Sequence, residues 1–188
     1  MNNIKTISII AAAILFSLSS CKGNKAITPS QNGEVEIIEH CTGSEYNSDS
    51  KHFRATATGE SLSRETAKKM SRSNAENRLA RSISATLSIV TDNYVNSTSF
   101  NNKEEVTETF NDMARTVVEQ ELRGAIIICE KLTKKTDGSF VSYIAIELSG
   151  EGIAQAYNER LAKDERIMAE YNYENFKETF EAEMNKPK

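Results

Sequence analysis

The chain has 188 residues and a formal net charge of −4, with 23 Lys and Arg against 27 Asp and Glu. A mildly acidic protein has no general electrostatic attraction to nucleic acid, so the composition argues against non-specific nucleic-acid binding. The length and the ordinary hydrophobic content predict one domain with a modest core.

The N-terminus has the pattern of a bacterial lipoprotein signal peptide. Lys5 precedes an apolar run from Ile7 to Leu18, which is shorter than the roughly 20 residues that span a bilayer. The run closes on Leu18-Ser19-Ser20-Cys21, a lipobox. The sequence therefore predicts a signal peptide at residues 1–20, cleavage between Ser20 and Cys21, and acylation of Cys21, for example with palmitate.

The residues after Cys21 predict a flexible tether and the membrane to which the lipid is attached. Residues 21–33 are polar, contain Gly, Pro and Ser, and lack hydrophobic periodicity, which is typical of a flexible tether. By resemblance to sorted lipoproteins, Lys22 in place of Asp favours the outer membrane over the inner membrane. The segment Lys22-Gly23-Asn24-Lys25 also lacks the acidic cluster that some lipoproteins use for surface export. We expect an outer-membrane anchor with the domain facing the periplasm.

The predicted domain occupies residues 34–163 and begins with two strands. Val35 to Cys41 is β-prone and predicts the first strand. His52 to Thr58 alternates between apolar and polar residues, which predicts a second strand that ends at Gly59.

Two helices are predicted next. Ser63 is a suitable N-cap for the first, and Asn102 with Glu105 forms a capping-box pattern for the second, which begins near Lys103. The first helix has a stripe of small and apolar residues at helical spacing: Ala67, Met70, Ala75, Leu79, Ile83, Leu87, Val90 and Tyr94. The apolar face of the second consists of Val106, Phe110, Met113, Val117 and Leu122.

The clearest β signal is a hairpin in which Ala125–Thr133 and Phe140–Leu148 flank the turn dipeptide Asp137-Gly138. The run Ile126-Ile127-Ile128 predicts a strand that is covered on both faces over part of its length. Residues 150–184 are mostly helical in pattern. Residues 164–188 are densely charged, with Met168, Phe176 and Phe180 as sparse anchors, which predicts a projecting helical extension; a partner-binding arm and a frayed tail are the alternatives.

The order β-β-α-α-β-β-α predicts an α+β fold, with a small antiparallel or mixed sheet packed against long helices. Within this order, the chain resembles the Lpp-twenty lipoprotein family. The resemblance depends on Ala55-Thr56-Ala57-Thr58-Gly59, on the small-residue face of the first helix (Ala67, Ala75, Leu79-Ala80 and Ile83), and on Tyr143-Ile144-Ala145-Ile146, and covers roughly residues 52–148. It implies a small α+β envelope domain, often lipidated, with no established enzymatic activity, and it brings no catalytic residues.

Residues 51–81 are basic although the whole chain is acidic, with eight Lys and Arg against three Glu. Five of these cations form a candidate patch for an anionic partner: Lys68, Lys69, Arg72, Arg78 and Arg81. An envelope polymer, a lipid headgroup or an acidic protein would suit such a patch. The favoured interpretation is a solvated helix face, balanced by acidic residues of the second helix.

The cysteines have two interpretations. With lipid on Cys21, Cys41 and Cys129 are left as an even pair in an oxidising compartment, either as a disulfide or as two buried thiols. His40, Cys41, His52 and Cys129 do not match a structural zinc spacing, so we predict no metal.

No motif for an enzyme is present. The chain has no nucleophile elbow, P-loop or HExxH, and Gly150-Glu151-Gly152 lacks the rest of a dinucleotide-binding fingerprint. The carboxylates Glu104, Glu105 and Glu108 lie in a helical first turn, where they complement the helix dipole. We therefore expect a non-catalytic binding or structural module, without a cofactor, tethered through Cys21 and binding an unknown envelope protein or anionic polymer. The alternatives are an envelope hydrolase or carbohydrate-active enzyme with a carboxylate site, and a homo-oligomeric scaffold.

Overall fold

The computed structural model describes residues 37–186. In this part of the chain, the α+β class predicted from the sequence is confirmed. The strands and α-helices, in chain order, are β1 (His52–Ser61), α1 (Arg64–Ser97), α2 (Lys103–Glu121), β2 (Ile126–Lys134), β3 (Phe140–Ser149), α3 (Gly150–Leu161), α4 (Glu165–Met168) and α5 (Tyr173–Met184).

The three strands form an antiparallel sheet in the order β1-β3-β2. β2 and β3 are the predicted hairpin, and Gly138 in its turn has a positive φ of 90°, which glycine adopts without strain. β1 lies on the other side of β3, with Ala55 opposite Ile146. β3 is therefore central, and β1 and β2 are the two edges.

Helix α1 packs on one face of the sheet at very short range. The Ser63 side chain accepts a hydrogen bond from the Thr66 N–H, as the predicted cap requires. A Cβ atom on Gly59 of β1 would lie 2.4 Å from the carbonyl oxygen of Ala67, so only glycine fits there. The same approach buries Ser71, whose hydroxyl bonds Ser142 at 2.8 Å.

Most of the predicted stripe of α1 is buried, but Met70 is not. Met70 is 44% exposed, and the adjacent Ser71 takes the buried position. The reason is the close contact with β1, which leaves room for a hydroxymethyl group and not for a thioether chain.

An aromatic cluster joins the helices beyond the sheet. Its rings come from α1, α2, α3, α5 and the loops that connect them: Tyr94, Phe100, Phe110, Tyr157, Tyr171 and Phe176. The Tyr157 hydroxyl donates to the carbonyl oxygen of Phe110 at 2.7 Å. Burial raises the pKa of Tyr157, because the phenolate would lose its hydration.

The predicted C-terminal extension is helical, but it does not project. It forms α4 and α5, and Phe176, Phe180 and Met184 of α5 are buried in the main core. Ile167 is buried where Met168 was expected to be, and Met168 is 59% exposed. The apolar side chains of α5 recur every four residues, so one face covers the core although the helix is densely charged.

Two other predictions about strands are wrong. Residues 37–41 of the expected first strand are not in a strand. The isoleucine run of β2 is not covered on both faces, because α1 packs mainly over β1 and β3: Ile126 is 57% exposed and Ile127 is 48% exposed.

Cys41 and Cys129 form a disulfide, with their Cα atoms 5.6 Å apart. Cys41 is buried and has a positive φ of 56°. The bond fixes the loop before β1 to β2, at the point where the pairing register between β2 and β3 shifts. The described part of the chain thus enters the domain on the β2 side of the sheet.

Candidate functional site

The structure divides the predicted basic patch between two flanks of α1. Lys68 points toward β2, where its ammonium lies 3.1 Å from the Glu130 carboxylate. Arg72 pairs with Glu76 and also donates to the carbonyl oxygen of Ala125, just before β2. Each of these two cations therefore has a carboxylate partner, from β2 or from α1 itself.

Arg78 and Arg81 lie on the opposite flank, at the β1 edge. They share a groove of about 340 Å³ whose lining is completed by Ala57, Thr58, Asn74 and Asn77. The Arg78 guanidinium donates to the carbonyl oxygen of Thr56 at 2.9 Å. Within residues 37–186, neither arginine has a carboxylate within 4 Å. We call this groove the arginine groove.

The arginine groove has the chemistry of a site for an oxyanion. Guanidinium groups bind carboxylate and phosphate oxygens through paired N–H donors. Arg78 uses one Nη1 hydrogen bond to hold the β1 edge, and Arg81 donates through Nε to the carbonyl oxygen of Asn77. Further N–H donors of both groups remain available. Lys69, the fifth predicted residue, is exposed elsewhere on α1 and does not line the groove.

A second charged group was not foreseen from the sequence. Arg54 bridges two carboxylates, with Nε 2.6 Å from Glu147 and Nη1 2.8 Å from Asp49. His52 lies between the same acids, 3.3 Å from Asp49 and 3.9 Å from Glu147. Desolvation alone would raise the pKa of Asp49, but the N–H groups of Lys51 and His52 and the Arg54 guanidinium together lower it to about 2.

This charged group holds the loop before β1 against the sheet. Arg54 also donates to the carbonyl oxygen of Asn47, and its backbone N–H bonds the Ser48 hydroxyl at 2.9 Å. The polar atoms are thus directed at one another and at the loop backbone. We interpret the group as a structural clamp, since its arginine is already engaged on both sides.

The acidic side chains of α2 lie on the surface. Glu105, Glu108 and Asp112 line a shallow cavity of about 450 Å³ with Arg166, and Glu104 lines a neighbouring one. Glu105 accepts from the side chain of Asn102 at 2.9 Å, in the predicted cap. In the described part of the chain none of these carboxylates forms an ion pair with a cation of the predicted basic patch, whose paired members bind Glu130 and Glu76 instead.

The histidines and cysteines do not converge. The two sulfurs are bonded to each other and cannot act as thiolate ligands, and the His40 ring packs edge-on against Tyr143. Within the described range, no three His, Cys, Asp or Glu residues are placed to hold a metal ion.

The Gly150-Glu151-Gly152 segment is an ordinary connection from β3 to α3. The Ser149 hydroxyl caps α3 by accepting a hydrogen bond from the N–H of Gly152. The N–H of Gly150 donates to the carbonyl oxygen of Lys51 at 2.7 Å. It borders a cavity of about 490 Å³, which carries two lysines and two glutamates and so has no preferred charge: Lys51, Lys177, Glu151 and Glu181.

The predicted signal peptide, cleavage position Ser20, lipidation site Cys21 and tether lie outside the described residues. Between residues 37 and 186, no helix has the length and apolar content that crossing a bilayer requires. No family model matches the chain, and no curated protein matches it. The resemblance to the Lpp-twenty lipoproteins therefore stays a prediction from the residues themselves.

Proposed function

We propose that the protein is a non-catalytic lipoprotein of the bacterial envelope whose domain binds an anionic partner. The lipobox at Leu18-Ser19-Ser20-Cys21 supports the anchor. The observation that carries the binding function is the arginine groove, in which two guanidinium groups one helical turn apart face solvent without a carboxylate partner among the described residues. A carboxylate or phosphate group of an envelope polymer fits this chemistry.

The anchor works by confinement. Lipid on Cys21 would hold the domain at a membrane surface and raise its effective concentration for a partner that is also confined to the envelope. More than one acyl chain is needed for stable attachment, because a single chain binds a bilayer only marginally.

Replacing the lipidated cysteine tests the anchor. In cells fed labelled palmitate, we expect wild-type protein to carry the label and to fractionate with the outer membrane. Cys21→Ala should lose the label and accumulate as precursor or soluble protein. Ser20→Ala keeps a small residue at the cleavage position and should be processed normally. Equal labelling of Cys21→Ala and wild type would contradict the proposal.

Removing the two groove arginines tests binding. We expect Arg78→Ala/Arg81→Ala to weaken the affinity for dextran sulfate by about tenfold or more, since each lost charge-assisted hydrogen bond costs on the order of 1.5–3 kcal/mol. Lys69→Ala/Lys163→Ala removes the same net charge from exposed positions outside the groove. Isothermal titration calorimetry at low salt measures both variants.

Arg81→Ala alone guards against misfolding, because the side-chain bond of Arg81 is made within α1 itself. It should weaken binding while leaving the thermal unfolding midpoint near that of wild type. If the groove and control variants bind equally well, a specific anion site is excluded and only a general charge effect remains.

A further inference from the structure

The two edge strands of the sheet differ in what covers them. At β1, three side chains donate hydrogen bonds to backbone carbonyl oxygens on the outer side of the strand. The donors are Ser48, Arg78 and Asn74, and the carbonyl oxygens belong to Arg54, Thr56 and Thr58 respectively. At β2, the edge carries exposed apolar side chains. Ile126 is 57%, Ile127 48% and Leu132 36% exposed.

Cations surround these apolar side chains. Arg123, Lys131 and Lys134 are exposed, and none has a carboxylate within 4 Å among residues 37–186. Glu130, the acid on the same strand, is already paired with Lys68. We define the β2 surface as Arg123, Ile126, Ile127, Lys131, Leu132 and Lys134.

The chain enters the domain beside this surface. The disulfide holds Cys41 with its Cα atom 5.6 Å from that of Cys129, in the middle of β2. Ile38, three residues earlier, is 80% exposed. The predicted tether has thirteen residues (21–33), and residues 34–36 separate it from the described chain. A flexible tether of thirteen residues has a root-mean-square span of about 18–22 Å, whereas a 150-residue domain has a radius of gyration of about 15 Å and so a larger diameter.

We propose that the β2 surface is the face that the domain rests on an anionic bilayer, an inference that depends on the proposed lipid anchor. A tether whose root-mean-square span is smaller than the diameter of the domain keeps the side nearest its entry closest to the membrane on average. There Ile126 and Ile127, which point to opposite faces of the strand, flank the edge at the boundary between headgroups and acyl chains, and the three cations meet anionic lipid. The strand backbone stays at headgroup level, because unpaired N–H and C=O groups do not enter hydrocarbon.

This orientation has a consequence for binding. The arginine groove lies at the β1 edge and the β2 surface at the opposite edge of the same sheet. A domain that rests on β2 presents the groove away from the membrane, toward partners in the aqueous space.

The absence of tryptophan from the chain allows a direct test. The mature chain with Cys21→Ser, which cannot be lipidated, receives Ile127→Trp as its single tryptophan, excited at a wavelength that tyrosine does not absorb. We expect a blue shift of its emission on vesicles of phosphatidylcholine with phosphatidylglycerol, and little shift on phosphatidylcholine alone. Ile89→Trp, at a 43% exposed position of α1, is the matched control and should not shift. Arg123→Gln/Lys131→Gln/Lys134→Gln should weaken vesicle binding on the order of 100-fold.

Three outcomes would overturn the proposal. Equal shifts at positions 127 and 89 would show non-specific adsorption. A concentration-dependent shift at position 127 without vesicles would show that the edge pairs with a second copy or another strand instead. No shift at either position would show that the β2 surface does not bind the bilayer. The palmitate experiment tests lipidation separately, so a lipidated protein whose position 127 stays in water refutes the orientation and leaves the anchor intact.

Discussion

Removing the Cys41–Cys129 bond is expected to lower the free energy of unfolding by about 4–5 kcal/mol, from the chain-entropy cost of a loop of this length. The two residues are 88 positions apart in sequence, so the bond excludes a large number of conformations from the unfolded state. Urea unfolding of Cys41→Ser/Cys129→Ser and of wild type, followed by circular dichroism, measures the difference.

The reductant supplies the control for this experiment. Reduced wild type should unfold at nearly the same urea concentration as the double variant, and the reductant should leave the variant itself unchanged. A total stability of 5–15 kcal/mol is usual for a domain, so the loss is large enough to unfold much of the population on mild heating. A change below about 1 kcal/mol would mean that the unfolded chain is already restrained in this region.

Phe176→Ala is expected to cost about 3–5 kcal/mol, the usual range for deleting a fully buried phenyl ring. The Phe176 ring is inaccessible to solvent and contacts the rings of Tyr94 and Tyr157 edge-on, with centroids 5.6 and 5.3 Å away. Thermal unfolding monitored by the tyrosine near-ultraviolet signal reports both the stability and the packing of this cluster.

Shortening an exposed side chain in the same C-terminal region is a suitable control. Met168→Ala changes a side chain that is 59% exposed, and surface substitutions of this kind stay within about 0.5 kcal/mol. If Phe176→Ala were as mild as Met168→Ala, α5 would contribute little to the stability of the domain, as expected of the projecting extension that its charge pattern predicted. The buried positions of α5 predict instead that a chain ending at Leu161 exposes the core and fails to fold stably.

Local patterns predicted most of the elements because their causes are local. The cap at Ser63, the Asp137-Gly138 turn and the period of α1 each depend on residues a few positions apart. The prediction that Met70 is buried was wrong for a reason that lies outside the helix. Gly59 lets β1 lie so close to α1 that a small side chain must occupy the buried position. The spacing of apolar residues along α1 carries no information about the distance between the helix and the strand.

The candidate site was only partly predictable for the same reason. Five cations in one stretch of sequence could not reveal which of them find carboxylate partners. Glu130, which neutralises Lys68, is 62 residues away from it in the chain, and Glu147 is 93 residues away from Arg54. The spacing of Phe176, Phe180 and Met184 was the signal that could have placed α5 on the core.

The disulfide also determines how mechanical load passes through the domain. A pull on the N-terminal tether reaches Cys41 and crosses the covalent bond to β2 without straightening the chain between them. β1, α1 and α2 all lie inside that closed loop. While the bond is intact, tension between the two ends of the chain therefore cannot draw out the helix that carries Arg78 and Arg81, and it falls on the elements that follow Cys129, which include β3 and helices α3 to α5.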